Sequence, residues 1–255
     1  MIRVAAAGDL HFGLDSAGTF RPQVERIDER ADVLLLAGDL TRIGQPEEAE
    51  VLAEEVAGLS VPVVAVLGNH DHQSDQPDAV RKVLESRGVR MLDGESTVLE
   101  IVGRTLGIAV VKGFGGGFAG KCATDFGEPE MKAFVRHTKA ISETLEDVLG
   151  ALDTDYRVAL MHYSPVKETL HGEPPEIYAF LGSYLLAEAV DRAGADLAVH
   201  GHAHRGSEKG TTPGGVHVRN VAQHVIRSAY NVYCFGDDHD LHSGQHDREL
   251  QPASR

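Results

Sequence analysis

Residues 33–39 read VLLLAGD. A run of Leu, Val and Ala stops abruptly at Gly-Asp. A continuous apolar run of this length suits a strand buried on both faces. The same phrase recurs where Arg3–Ala7 meets Gly8-Asp9 and where Val63–Leu67 meets Gly68-Asn69. Helical patterns lie between and after these runs. Pro46–Ala57 carries acidic residues in its first turn, which complement the helix dipole. Asp78–Ser86 follows Pro77, a residue preorganised for a helix start. Strands alternating with helices predict an α/β sandwich.

Further along, Ser96–Val102 and Thr105–Val111 predict a hairpin turning at Gly103-Arg104. Pro129–Leu149 is the longest helical stretch, Tyr156–Met161 a strand ending at His162, and Ser183–Ala193 another helix. Asp196–Val199 is a strand that runs into residues 199–206, VHGHAHRG. Val216–Asn220 and Ala229–Phe235 read as closing strands. Residues 236–255 are polar and aperiodic, which predicts a disordered tail after one domain over 1–235.

The hydrophobic share of 42% over 255 residues is ample for a buried core. No apolar run approaches the roughly 18 residues of a membrane span. The N-terminal MIRVAAAGDLHFG reads as a first strand, too short in its apolar part for a signal peptide. Two cysteines cannot make a disulfide framework, so a cytoplasmic, reducing home is expected. A net charge of -15 opposes binding of nucleic acid, which needs clustered Lys and Arg. A small phosphate ester remains compatible, because bound divalent cations reverse the local sign.

Chemistry gathers at the strand ends. Asp9 and His11 follow the first strand, Asp39 the second, and Asn69, His70 and Asp71 the third. His162 follows the Tyr156–Met161 strand, and His202 and His204 follow Asp196–Val199. In an open α/β sheet, the carboxyl ends of strands share one edge, where ligands bind. Any one of these residues has an ordinary role, since Asp and Asn cap helices and make turns. The ordered set of oxygen and imidazole donors points instead to a metal site. His200, on the same extended run, reads as a core or supporting histidine; His72 reads as a loop residue. His137, His171, His217 and His224 carry no assignment.

The set Asp9-Leu10-His11, Gly38-Asp39, Gly68-Asn69-His70-Asp71, His162 and Gly201-His202-Ala203-His204 resembles the calcineurin-like metallophosphoesterase superfamily. The resemblance implies a four-layer αββα sandwich of two mixed β-sheets flanked by helices. It implies two divalent metals, Mn or Fe and in some members Zn, a choice that suits the donor types. One metal would take Asp9, His11, Asp39 and His204; the other would take Asp39, Asn69, His162 and His202. Asp39 would bridge them. His70 would contact the phosphoryl group or protonate the leaving oxygen, and Asp71 would hydrogen-bond the His70 ring. The implied reaction is phosphoester hydrolysis by a metal-activated water or hydroxide.

Gly38-Asp39-Leu40-Thr41-Arg42-Ile43-Gly44 further resembles the GDLTxxG stretch of bacterial class III cyclic-nucleotide phosphodiesterases. That favours a small organic phosphodiester as substrate. The chain departs at His162-Tyr163-Ser164-Pro165, where those enzymes show two histidines followed by prolines. A phosphomonoesterase or protein phosphatase is the alternative, with a nuclease or a metal-poor interaction module behind it. Residues 163–182 lack periodicity and are long for a connection, which predicts a substrate-setting lid. Lys167, Tyr178 and Arg205 are candidate substrate contacts or solvated surface. GFGGGFAG at 113–120 fits G-x-G-x-x-G, but Pro129 delays any following helix. It is expected to be a pliable loop near the site and not a dinucleotide cradle.

Overall fold

A computed structural model describes residues 1–236 and the backbone of His242–Gly244. In chain order the strands are β1 (Ile2–Ala7), β2 (Val33–Ala37), β3 (Val63–Val66), β4 (Val89–Met91), β5 (Glu95–Ile101), β6 (Arg104–Val110), β7 (Gly117–Phe118), β8 (Lys121–Cys122), β9 (Tyr156–Leu160), β10 (Leu197–His200), β11 (Lys209–Thr211), β12 (His217–Asn220), β13 (Asn231–Phe235) and β14 (His242–Gly244). The helices are α1 (Arg21–Val24), α2 (Pro46–Val56), α3 (Pro77–Ser86), α4 (Pro129–Gly150), α5 (Tyr178–Leu181), α6 (Tyr184–Ala193) and α7 (Gln223–Ile226).

Two mixed sheets form. The first has the order β14-β13-β1-β2-β3-β4, with β1 to β4 parallel and β13 antiparallel to β1. The second has the order β11-β12-β10-β9-β6-β5, parallel in its middle and antiparallel at both edges.

The alternation of side chains along each strand explains the layers. Ala5, Ala7, Leu34 and Leu36 pack outward against Ala49, Leu52, Val80 and Leu84 of α2 and α3. Their neighbours Val4, Ala6, Val33 and Leu35 face inward, onto Leu106, Ile108, Val158, Leu160 and Val199 of the other sheet. Ala109, Ala159 and Ala198 then face Leu145, Leu149, Leu186 and Val190 of α4 and α6. Strands buried on both sides have to be apolar throughout, which is why they read as continuous runs. The result is the four-layer αββα sandwich expected from the sequence.

Capping residues set the helix ends. The Gln45 and Glu48 side chains close a capping box at α2, and the Ser183 hydroxyl accepts the Leu185 N–H at α6. The Gly-rich stretch at 113–120 behaves as a loop. Gly116 N–H and Gly117 N–H donate to the Ala179 and Gly182 carbonyls, and no helix opens before Pro129. Of the 236–255 stretch expected to be a disordered tail, His242–Gly244 pairs with β13 as an edge strand. Residues 237–241 and 245–255 lie outside the described residues.

Candidate metal centre

The parallel strands β1, β2 and β3 and their counterparts β9 and β10 end along one seam between the sheets. Backbone bonds lock that seam. Asp9 N–H donates to Gly38 O, Gly201 N–H to His162 O, and Gly8 N–H to Val221 O across the two sheets. Asp9, His11, Asp39 and His202 adopt left-handed backbone, with φ of 56, 46, 49 and 70°. This conformation is uncommon for residues other than glycine and costs energy that packing has to offset. At such turns the side chains leave the strand direction and converge.

Two donor sets result. Asp9, His11, Asp39 and His204 form one; Asp39, His162 and His202 form the other. Within each set, one ligand atom per residue lies within 4.8 Å of every other. Asp39 belongs to both and is 1% exposed. Its two oxygens divide the work. Oδ1 lies 3.3 Å from His162 Nε2, and Oδ2 lies 3.8 Å from His11 Nε2. Asn69 Oδ1 is 2.9 Å from the same His162 nitrogen. The structure thus brings together all seven residues that the sequence proposed as ligands.

The donor chemistry suits cations. His162 Nδ1 donates to the Ala37 carbonyl at 2.8 Å, which turns Nε2 toward Asn69 Oδ1 and Asp39 Oδ1. That orientation offers Nε2 and the two oxygens to one point, as a shared cation would need. Burial pushes the pKa of His11 down to about 4 and that of His202 down to about 3. Both rings are therefore neutral at pH 7, as a metal ligand requires. Burial opposes the Asp9 carboxylate, but the His204 hydrogen bond of 2.8 Å and the surrounding imidazoles outweigh it and hold its pKa low.

Two motif glycines are explained by close approach. A Cβ on Gly68 would occupy the space of Asp39 Oδ1, and a Cβ on Gly201 that of Asp9 Oδ2. Each carboxylate reaches the seam only because its neighbour has no side chain.

His70 sits at the open rim. Its N–H donates to Asp39 Oδ1 at 2.8 Å, and its ring meets the His11 ring edge-on at 4.6 Å. Its Nδ1 lies 2.8 Å from Arg42 O, which turns Nε2 toward the centre, 4.0 Å from Asp39 Oδ2. The expected Asp71 contact with this ring does not form. The Asp71 carboxylate is fully buried beneath and accepts from Leu40 N, Thr41 N, Thr41 Oγ1 and Gly68 N. Those four donors saturate it, so Asp71 ties the loops after β2 and β3 together while a backbone carbonyl orients His70.

Other expected residues fall out as follows. His200 is completely buried and bonded to Thr169 Oγ1 at 2.8 Å, a core histidine. Tyr178 donates its hydroxyl to Leu170 O, and Lys167 and Arg205 are exposed. His224 on α7 received no role from sequence, yet its ring stacks on His204 at 4.8 Å and 10°. No spacing rule could have found it, because it comes from a separate turn beyond β12.

The chain belongs to the calcineurin-like phosphoesterase family, whose profile matches residues 2–206. It is 33% identical over 52 residues to the glycerophosphodiester phosphodiesterase GpdQ of Enterobacter lignolyticus. That match covers 20% of this chain and 19% of the relative. It is 32% identical over 92 residues to a "probable cyclic nucleotide phosphodiesterase" of Synechococcus, covering 32% of this chain and 34% of that protein. The chain thus spans about a fifth and about a third of the lengths of these two relatives. Among solved structures, the phosphopantetheinyl hydrolase of Mycobacterium tuberculosis superposes with a TM-score of 0.63 at 17% identity, covering 98% of both chains. The protein TT1561 of Thermus thermophilus superposes at 0.56 and 17% identity, covering 96% of this chain and 98% of that one. These superpositions show a shared fold. Family membership and a candidate dinuclear His/Asp site therefore coincide in this chain. No helix among the described residues is long and apolar enough to cross a membrane.

Proposed function

We propose that the chain hydrolyses a small organic phosphodiester, using two divalent ions bound by Asp9, His11, Asp39 and His204 and by Asp39, Asn69, His162 and His202. The observation that carries this reading is the division of Asp39, whose two oxygens face the two donor sets separately. Both relatives matched in sequence are described as phosphodiesterases, which favours a diester over a monoester. When bound, a metal pair supplies Lewis acidity at the phosphoryl oxygens and a nucleophile at neutral pH. Mn or Fe suits this mixture of imidazole, carboxylate and amide donors.

The protein's own groups do the rest. The buried Asp9 and Asp39 carboxylates would supply the negative charge that holds the two cations. His70 Nε2 faces the centre, because the Arg42 carbonyl occupies Nδ1. In its protonated form it donates to the leaving alkoxide, the task of a general acid. The 163–182 segment lies over one side of the centre. The Phe180 carbonyl is 3.3 Å from His202 Nε2, a contact that supports reading this segment as the lid that sets substrate choice.

The test is hydrolysis of bis-p-nitrophenyl phosphate beside p-nitrophenyl phosphate by chelator-stripped protein reloaded with Mn, Fe, Zn or nothing. Metal-dependent cleavage with preference for the diester is expected. A preference for the monoester would overturn the phosphodiesterase reading in favour of a phosphatase.

A further inference from the structure

Next to His162 and His202, the site has a wall that neither the ligand pattern nor His70 accounts for. Tyr163 directly follows His162, and its ring centroid is 4.4 Å from that of His202. Phe114 lies 5.7 Å from Tyr163 and 5.1 Å from Phe134, and Phe134 lies 6.5 Å from Phe180. Phe180 returns to the start, since its carbonyl contacts His202. The rings therefore form an arc that begins and ends at one metal-ligand candidate. They come from the Gly-rich loop, α4, the loop after β9, and α5.

One member of the arc is conspicuously uncovered. Phe180 is 62% exposed, whereas Tyr163 is 7% exposed. A large aromatic side chain left in water, on a residue whose carbonyl contacts His202, is the informative kind of exposure. The Tyr163 hydroxyl makes no hydrogen bond among the described residues.

A cation stands at the foot of the arc. Lys112 ends the run that continues β6, and its carbonyl accepts from His162 N and Tyr163 N at 2.9 and 3.1 Å. Its Nζ lies 6.0 Å from the Phe114 ring centre. The ammonium is partly buried, feels the charges of Asp93 and Asp39, and forms no ion pair among the described residues. In a chain of net charge -15, such a cation beside the centre is set for an anion.

We infer that this flank is a subsite for the substrate's ester group: a flat aromatic ring that stacks on Phe180, with Lys112 taking a phosphoryl oxygen. The inference deepens the phosphoesterase reading and rests on it. It names the substrate class as aromatic phosphoesters, those bearing a heteroaromatic base included. Stacking tolerates many ring types, because every flat ring offers a π face. Lys112 adds a point charge without fixing the orientation of the group it meets.

Binding of phenylphosphonate and methylphosphonate to the Mn-loaded protein, read by calorimetry, separates the parts. Neither ligand is hydrolysed, so the readout does not depend on turnover. The wild type should bind phenylphosphonate roughly 10-fold more tightly than methylphosphonate. Phe180→Ala, a change at an exposed position, should abolish most of that ratio. Lys112→Met should weaken both ligands by a similar factor and preserve the ratio. A wild-type ratio near one, or a ratio that survives Phe180→Ala, overturns the aromatic subsite. Undiminished binding of both ligands by Lys112→Met overturns its role. Failure of the Mn-loaded wild type to bind either phosphonate overturns the phosphoesterase reading together with this one.

Discussion

His11 Nε2 and His204 Nε2 lie 3.3 Å apart, although 193 residues separate them in the chain. One arrives on the turn after β1 in the first sheet, the other on the loop after β10 in the second. Two imidazole nitrogens at this distance, with Asp9 Oδ1 2.8 Å from the second, describe a gap shaped for a cation. Metal and fold stability are therefore linked. Removing metal with a chelator should lower Tm. A metal at a hundredfold excess over its Kd adds about 2.7 kcal/mol, or roughly 5–10 °C for a chain of this size. Differential scanning calorimetry with and without Mn checks this; an unchanged Tm would count against a cation in this gap.

Asp39→Asn should reduce binding at both metal positions together. The change removes the shared negative charge but keeps the shape, and Asn tolerates the left-handed backbone that Asp39 adopts at φ 49°. The loss should exceed the roughly 10- to 100-fold that groups merely supporting ligands are worth. Metal stoichiometry by elemental analysis decides; loss of one metal alone would show that Asp39 does not bridge.

His70→Ala should retain both metals and lower kcat by roughly 10²–10⁴. The ring touches the centre only through its open face, while its backbone N–H still donates to Asp39. Asp71→Asn should behave differently. It should lower Tm, because a side-chain amide would set an N–H against backbone donors that now converge on a carboxylate. Comparing unfolding midpoints and kcat of the two variants separates the roles.

Gly68→Ala should cost metal without replacing any ligand residue. Its Cβ would take the position of Asp39 Oδ1 and lie 2.8 Å from His162 Cε1. Calorimetric titration with Mn should show weakened binding at the position that His162 serves. Wild-type affinity would mean that the loop after β3 relaxes freely, against the packing described above.

Glu55 on α2 gives a pH signature far from the site. Its carboxylate is 6% exposed and accepts N–H bonds from Gly18, Phe20 and Arg21 at 2.6, 2.9 and 2.6 Å. Burial opposes the charge, but these bonds outweigh it and hold the pKa below the ordinary 4.5. A depressed pKa means the stabilisation is fully present above the unfolded value and is lost as pH falls through the folded one. Glu55→Gln should cost about 1.5–3 kcal/mol near pH 7. That difference should shrink as pH falls below 4.5. Urea unfolding at several pH values measures it; a pH-independent difference would refute the account.

The strands that carry the ligands were legible because burial on both faces forces an unbroken apolar run, and the turn that follows forces Gly-Asp or Gly-Asn. The hairpin expected at Ser96–Val102 and Thr105–Val111 forms as Glu95–Ile101 and Arg104–Val110. Residues at its ends are polar or β-branched on either side of the boundary, so periodicity cannot fix them to the residue. The edge strands β4 and β11, three residues each, are too short to show a period at all. In the site, all seven proposed ligands stood at strand ends and could be named. What supports them could not. The partner of His70 is the backbone carbonyl of Arg42, and a carbonyl leaves no mark in a sequence. The arc from Phe114 to Phe180 joins four segments whose neighbours only the fold decides.

The seam between the sheets also orders events in time. A chain leaving the ribosome presents Asp9, His11, Asp39 and Asn69 long before His162, His202 and His204 exist. A nascent chain ending before residue 204 carries neither a complete first set nor a closed second sheet. The two donor sets are therefore complete only once the second sheet's strands have been made and docked.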